Sequence, residues 1–80
     1  MSQSKLEVGE PNWEPLEAVL PVEDCEDFMY MGRVGDIELY KHRHTRRYLN
    51  ISSTSGKFYR YTADGYVEIS RVEALSEVLH

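Results

Sequence analysis

Residues 41–47 form the densest group of charged and titratable side chains in the chain. The segment holds one lysine, three arginines and two histidines, and Tyr40 and Tyr48 stand on either side of it. Cationic side chains bind phosphate oxygens and tyrosine rings stack on nucleobases, so the segment is suited to a phosphate-bearing ligand or a nucleic acid. The alternative is a solvated hairpin tip that neutralises an acidic segment. The name basic hairpin refers below to Lys41, Arg43, His44 and Arg47.

Acid–base catalysis is the enzymatic chemistry that these residue types would support. Cleavage of RNA on a sheet surface requires a proton acceptor, a proton donor and a group that stabilises the phosphate. The side chains suited to these roles are Tyr40, His42, Arg46, Tyr48 and Arg60. A formal net charge of −5 disfavours an RNA substrate, which needs a positive surround. A small ribonuclease is therefore an alternative only, and we assign no catalytic residue.

Metal binding and nucleophilic catalysis have less support. His42 and His44 would share one face of a strand, but no third ligand stands at a known spacing and the neighbouring bases would repel a cation. Cys25, the single cysteine, lies between Asp24 and Glu26. Neighbouring negative charge raises a thiol pKa and makes a poor nucleophile. We expect no metal site, no cofactor and a structural role for Cys25.

Length and composition indicate one small domain. Eighty residues suffice for a single core of modest size, and 41% of them are hydrophobic. A single cysteine allows no internal disulfide, which is typical of a reducing compartment. The sequence shows no signal-peptide pattern and no apolar run near the roughly 20 residues of a membrane span. We expect a cytoplasmic protein with no membrane partner.

The charges are segregated along the chain. Residues 1–30 carry eight acids and one base, residues 31–62 carry seven bases and two acids, and residues 63–80 carry four acids and one base. The middle of an acidic protein is thus locally positive. A local field of this kind can steer a partner even where the net charge is unfavourable.

Periodicity predicts an α+β domain over residues 12–80, preceded by a flexible tail over residues 1–11. Asn12 is suited to cap a short N-terminal helix, and Ser70 with Glu73 forms a capping box for a C-terminal helix. Between the helices, alternating segments predict an antiparallel β-meander of four to five strands packed on one face by both helices. These segments are 28–33, 37–42, 46–52, 57–62 and 66–69.

Loop lengths predict the register of the strands and thereby the two faces of the sheet. Three-residue loops at 43–45, 54–56 and 63–65 would place Leu39 opposite Leu49, with Tyr59 and Tyr61 on the same apolar face toward the helices. The other face would expose aromatic and basic side chains, which are enriched at binding hot spots. This predicted contact set comprises Tyr40, His42, Arg46, Tyr48, Phe58, Arg60 and Tyr66.

These features favour a small binding module without enzymatic activity. A modest core, an aromatic and basic sheet face and segregated charge all suit a homodimer or a complex with another protein. The alternative is nucleic-acid binding through residues 41–47, with RNA cleavage as a variant of it. The sequence does not identify the partner.

Overall fold

The computed structural model describes residues 9–80, which form a five-stranded antiparallel sheet and three helices. The elements are α1 (Glu14–Glu17), α2 (Val22–Cys25), β1 (Phe28–Val34), β2 (Ile37–His42), β3 (Tyr48–Ser52), β4 (Phe58–Thr62), β5 (Gly65–Ile69) and α3 (Arg71–Leu79). The strands pair in chain order, so the sheet is a meander, and the predicted α+β class is confirmed. The predicted tail over residues 1–11 lies, up to residue 8, outside the described residues.

Helix α3 begins where the capping box predicts. The Ser70 hydroxyl accepts a hydrogen bond from the Glu73 backbone N–H at 3.1 Å, and the Glu73 carboxylate accepts one from the Ser70 N–H at 3.3 Å. Ala74 and Val78 are buried against the sheet, whereas Val72, which its spacing assigns to the core, is exposed. Within residues 9–80, no helix is long and apolar enough to cross a membrane.

A buried polar cluster ties the N-terminal segment to the sheet. The carboxylate of Glu38 is buried and accepts hydrogen bonds from the Tyr30 hydroxyl at 2.5 Å and from Arg33 Nε at 3.2 Å. Arg33 also donates to the carbonyl of Glu10 at 3.0 Å, and the Trp13 ring packs against Tyr30 with a centroid distance of 6.0 Å. A buried carboxylate is stable only with such partners.

The register differs by one residue from the predicted one in all three hairpins for which loop lengths were used. Leu39 lies opposite Asn50 rather than Leu49, because the β2–β3 loop holds four residues, 43–46. The β3–β4 loop also holds four residues, 53–56, and the β4–β5 loop holds two, 63–64. Since side chains alternate along a strand, a shift of one residue in each hairpin turns β2 and β4 over relative to β3 and β5.

The core lies between the helices and a sheet face on which β3 presents the predicted side chains, whereas β2 and β4 present side chains that the sequence analysis assigns to solvent. Tyr40, Leu49, Ile51 and Phe58 supply its sheet side, and Leu16 and Val78 supply its helix side. The predicted faces are therefore correct for Leu49 on β3 and wrong for β2 and β4, where Tyr40 and Phe58 are buried.

Candidate binding surface on the open sheet face

The structure divides the predicted contact set between a buried and an exposed face. Tyr40 and Phe58 lie in the core, and the Tyr40 hydroxyl donates to the carbonyl of Asn12 at 2.5 Å. His42 is also buried, with its ring edge-on to Phe28 at 5.0 Å. The expectation that these side chains share one exposed surface is wrong, because the one-residue change of register turns them toward the helices.

Arg60 and Arg46 also lie outside the predicted binding surface. Arg60 extends toward helix α3, where its guanidinium binds the carboxylate of Glu77 and lies 3.5 Å from Glu73. These two carboxylates, Glu77 first, raise the pKa of Arg60 further and keep it cationic. Arg46 sits in the β2–β3 loop with a φ of 66°, in the left-handed region. Its conformation belongs to the turn and not to a strand.

Tyr48 and Tyr66 are the two members of the predicted set that lie on the opposite face of the sheet. All three helices contribute their buried side chains to the core on the Tyr40 face, so the other face remains uncovered among the described residues. We call this uncovered surface the open face and define it by Leu39, Tyr48, Asn50, Tyr59, Tyr61 and Tyr66.

A groove crosses the open face. Its volume is about 500 Å³, and its walls include Val34, Tyr48, Tyr61 and Tyr66 above a floor of Leu39 and Asn50. Leu39 and Asn50 are both nearly inaccessible, whereas Tyr61 is 69% exposed and Tyr48 is 44% exposed. The groove thus combines a buried floor with aromatic walls that a partner can contact.

The tyrosine rings of the open face contact one another. The rings of Tyr61 and Tyr66 lie 5.1 Å apart between centroids, at an interplanar angle of 58°. Partial burial raises the pKa of Tyr66, and the neighbouring phenols of Tyr61 and Tyr48 raise it further. The Tyr66 phenol is therefore a neutral hydrogen-bonding group at physiological pH. None of the hydroxyls of Tyr48, Tyr59, Tyr61 and Tyr66 is hydrogen-bonded within residues 9–80.

Strands β3 and β4 separate beside the groove. Their ladder consists of two residue pairs, Asn50 with Tyr59 and Ile51 with Phe58, and does not continue to Tyr48. A second cavity of about 290 Å³ occupies the gap and shares Tyr48, Asn50, Tyr59 and Tyr61 with the open face. Asn50 lies at the closed end of this gap.

Asn50 has one satisfied and one unsatisfied side-chain group. Its Nδ2 donates to the carbonyl of Tyr59 at 3.2 Å, which fixes the orientation of the amide. Its Oδ1 is buried and accepts no hydrogen bond from the described residues. A buried acceptor of this kind is uncommon in folded proteins.

The basic hairpin is in part engaged with the acidic segment of its own chain. Arg43 donates to the carbonyl of Glu26 at 2.9 Å, and His44 lies 3.7 Å from the carboxylate of Asp27. The Lys41 ammonium stands over the Tyr48 ring at 5.9 Å from its centroid. Arg47 is exposed and lines the gap between β3 and β4. Arg43 and His44 thus contact the acidic segment, whereas Arg47 remains an exposed cation.

Residues 9–80 show neither a cluster of metal-ligating side chains nor an exposed thiol. No group of three His, Cys, Asp or Glu side chains within that range is arranged to hold a metal ion. The Cys25 thiol is buried and donates to the carbonyl of Leu20 at 3.6 Å. Burial raises its thiol pKa, and Glu17 and Asp24 raise it further. These features suit a packed structural residue.

The predicted register assigns Tyr59 and Tyr61 to the core, whereas both lie on the open face, where they are half of its tyrosines. In β4, Phe58 points to one face of the sheet and Tyr59 and Tyr61 point to the other. Because both faces carry aromatic side chains, the alternation of the sequence does not indicate which face is buried. The loop length alone decides the matter. Comparison with protein-family models, with curated proteins and with solved structures finds no match to this chain.

Proposed function

We propose that this protein is a non-enzymatic binding module that self-associates through its open face. The observation that supports the proposal is the groove of about 500 Å³ walled by exposed tyrosines on the one sheet face that the described helices leave uncovered. A sheet with apolar side chains on both faces is stable in water when a second layer covers each face. Exposed apolar and aromatic patches accordingly mark interaction sites.

A second copy of the chain suits this face by symmetry. Strand β3 is the middle strand of five, so a two-fold axis along β3 would place β2 opposite the partner's β4. Lys41 of β2 would then face the partner's Tyr61 and lie near the partner's Asp64. Both contacts would occur twice in the dimer, and cation–π and opposite-charge contacts favour such a pairing.

Substitution of one exposed tyrosine tests the proposal. Tyr61→Asp places a charge on the wall of the groove, and we expect the dimer to dissociate because that charge would be desolvated without a partner. Val72→Asp is the matched control, since Val72 is 78% exposed but lies on helix α3. Sedimentation velocity should give a monomer for the first variant and a dimer for the second. Equal sedimentation of Tyr61→Asp and the parent chain would refute the proposal.

Nucleic-acid binding is the second candidate function, favoured by the exposed cations beside Tyr48. Arg46 and Arg47 are exposed and form no ion pair within residues 9–80, and Lys41 and Tyr48 stand beside them. This function predicts that a fluorescent single-stranded RNA binds at low salt and is released as the salt concentration rises. Paired Arg46→Gln and Arg47→Gln substitutions should weaken binding, whereas Arg71→Gln, on helix α3, should not. Absence of RNA binding at low salt would remove this candidate.

A further inference from the structure

The outer edge of strand β5 presents backbone groups that the fold of one chain leaves unpaired. The strands pair in chain order, so β5 borders β4 on one side only. A two-residue loop makes Thr62 and Gly65 the hydrogen-bonded closing pair of the β4–β5 hairpin, and hydrogen-bonded pairs recur at every second residue from there. The N–H and C=O groups of Tyr66 and Glu68 therefore point away from β4. None of these four groups is hydrogen-bonded within residues 9–80.

The two edges of the sheet differ in their protection against further pairing. Strand β1, at the opposite edge, is bulged between Tyr30 and Gly32, and a bulge twists an edge away from an incoming strand. Strand β5 pairs with β4 over five consecutive residues without such a shift and contains no proline. Helix α3 packs mainly over β3 and β4 and leaves Val67 of β5 45% exposed. A regular and open edge of this kind is suited to pair with another strand.

The side chains of β5 define the chemistry of a strand that fits this edge. On the open face β5 carries Tyr66 and Glu68, and on the helix face it carries Val67. The Glu68 side chain is about half exposed beside Lys57 at 3.7 Å, and Asp64 in the adjoining loop is also exposed. The loop 63–64 and β5 contain no base. A cation opposite Glu68 and an apolar residue opposite Val67 are therefore the favourable cross-strand neighbours.

We infer that β5 binds an extended segment of another protein in which cationic and apolar residues alternate. The segment adds a sixth strand to the sheet, and its cationic residues exchange backbone hydrogen bonds with Tyr66 and Glu68. A second copy of β5 is a poor occupant, because pairing of two acidic strands brings like charges together. The inference goes beyond the proposed dimer, since strand addition uses the backbone of β5 and not the surface of the open face.

A short fluorescent peptide of alternating lysine and valine is the probe for this edge. We expect its anisotropy to rise when the full chain is added at low salt. Methylation of the lysine backbone nitrogens keeps every charge of the peptide but removes the donors that face Tyr66 and Glu68. The methylated peptide should therefore bind at least about tenfold more weakly. A peptide with glutamate in place of lysine should not bind.

Two substitutions at one position separate the backbone contact from the charge. Glu68→Pro removes an N–H that points outward, at an edge position where proline is tolerated, and should weaken peptide binding at least about tenfold. Glu68→Gln is the matched control, because it keeps the N–H and removes only the charge, and should weaken binding about threefold. Circular dichroism establishes that both variants fold. If Glu68→Pro does not fold, the comparison of plain and methylated peptides decides the question.

The outcomes separate the inference from the proposed dimer. Equal affinity for the plain and methylated peptides would refute strand addition, and so would a folded Glu68→Pro variant that binds like the parent chain. Absence of binding at low salt would refute the inference as a whole. A parent chain that binds the peptide but sediments as a monomer would refute the proposed function alone.

Discussion

His42 and Ser52 occupy equivalent positions in two successive hairpins. Nδ1 of His42 accepts hydrogen bonds from the backbone N–H groups two and three residues later, both at 3.2 Å, and Oγ of Ser52 accepts the corresponding pair at 3.3 and 3.1 Å. In each loop the residue four positions after the acceptor has a positive φ, Arg46 in the first and Gly56 in the second. The same capped four-residue turn is therefore used twice, ten residues apart, with different residue types.

The turn pair predicts opposite effects of two substitutions. Arg46 has a φ of 66° and Gly56 a φ of 74°, and only glycine adopts this region without steric cost. Arg46→Gly should therefore raise the free energy of unfolding by about 0.5 kcal/mol, and Gly56→Ala should lower it by about 1 kcal/mol. No atom lies within 4 Å of the added Cβ at Gly56, so the loss there reflects the backbone alone. Urea unfolding measures both, and changes of the same sign would contradict the turn geometry.

The capping box of helix α3 predicts a local loss of stability. Ser70→Ala removes the acceptor for the Glu73 N–H, and we expect the free energy of unfolding to fall by about 1 kcal/mol. Ser76→Ala is the control because Ser76 lies within the same helix and is exposed, so its replacement should be neutral or slightly stabilising. Equal losses from both variants in thermal unfolding would argue against the cap.

Alkaline pH should destabilise the fold through Tyr30. Burial, followed by the hydrogen bond to Glu38, raises the pKa of Tyr30 from about 10 to about 12. Since the pKa is higher in the folded protein, the neutral phenol stabilises the fold fully below pH 10, and this contribution is lost as the pH rises through about 12. Chemical unfolding at several pH values should show this fall.

Tyr30→Phe is the control for the alkaline effect. Phenylalanine carries no titratable hydroxyl, so the fall in stability above pH 10 should become shallower in this variant. It should not vanish, because burial also raises the pKa of Tyr40. An unchanged pH dependence would show that Tyr30 titrates as a free phenol.

Burial of Cys25 predicts slow thiol chemistry in the native protein. Its pKa is raised by burial and by two carboxylates, so little thiolate is present at neutral pH. A disulfide reagent should label the folded chain at least about tenfold more slowly than the urea-unfolded chain. Equal labelling rates would place Cys25 at the surface.

The elements of the fold were predictable from the sequence, whereas the faces of the sheet were not. The capping box at Ser70 and the alternation of β2 and β3 are local signals, and each led to the observed element. The faces depend on loop length, which changes by one residue when His42 caps its own turn or when Arg46 adopts a positive φ. Neither event has a strong sequence signal, since glycine is the residue typical of such positions.

The candidate site could likewise be predicted only in part, because it depends on which face of the sheet is buried. Tyr48 and Tyr66 were predicted at the surface and lie on the open face, but Tyr40 and Phe58 fill the core. Because β4 carries aromatic residues on both of its faces, its sequence does not indicate which face is buried. The unsatisfied acceptor of Asn50 depends on the separation of β3 and β4, which is a property of tertiary structure.

Molar mass in solution, measured by light scattering over a dilution series at low and high salt, tests the central claim most directly. Self-association through the open face predicts a species of twice the chain mass of 9.3 kDa that persists at high salt, because tyrosines and apolar side chains supply most of the contact. A species of 9.3 kDa at every concentration and salt condition would contradict the claim and leave the open face without its proposed partner.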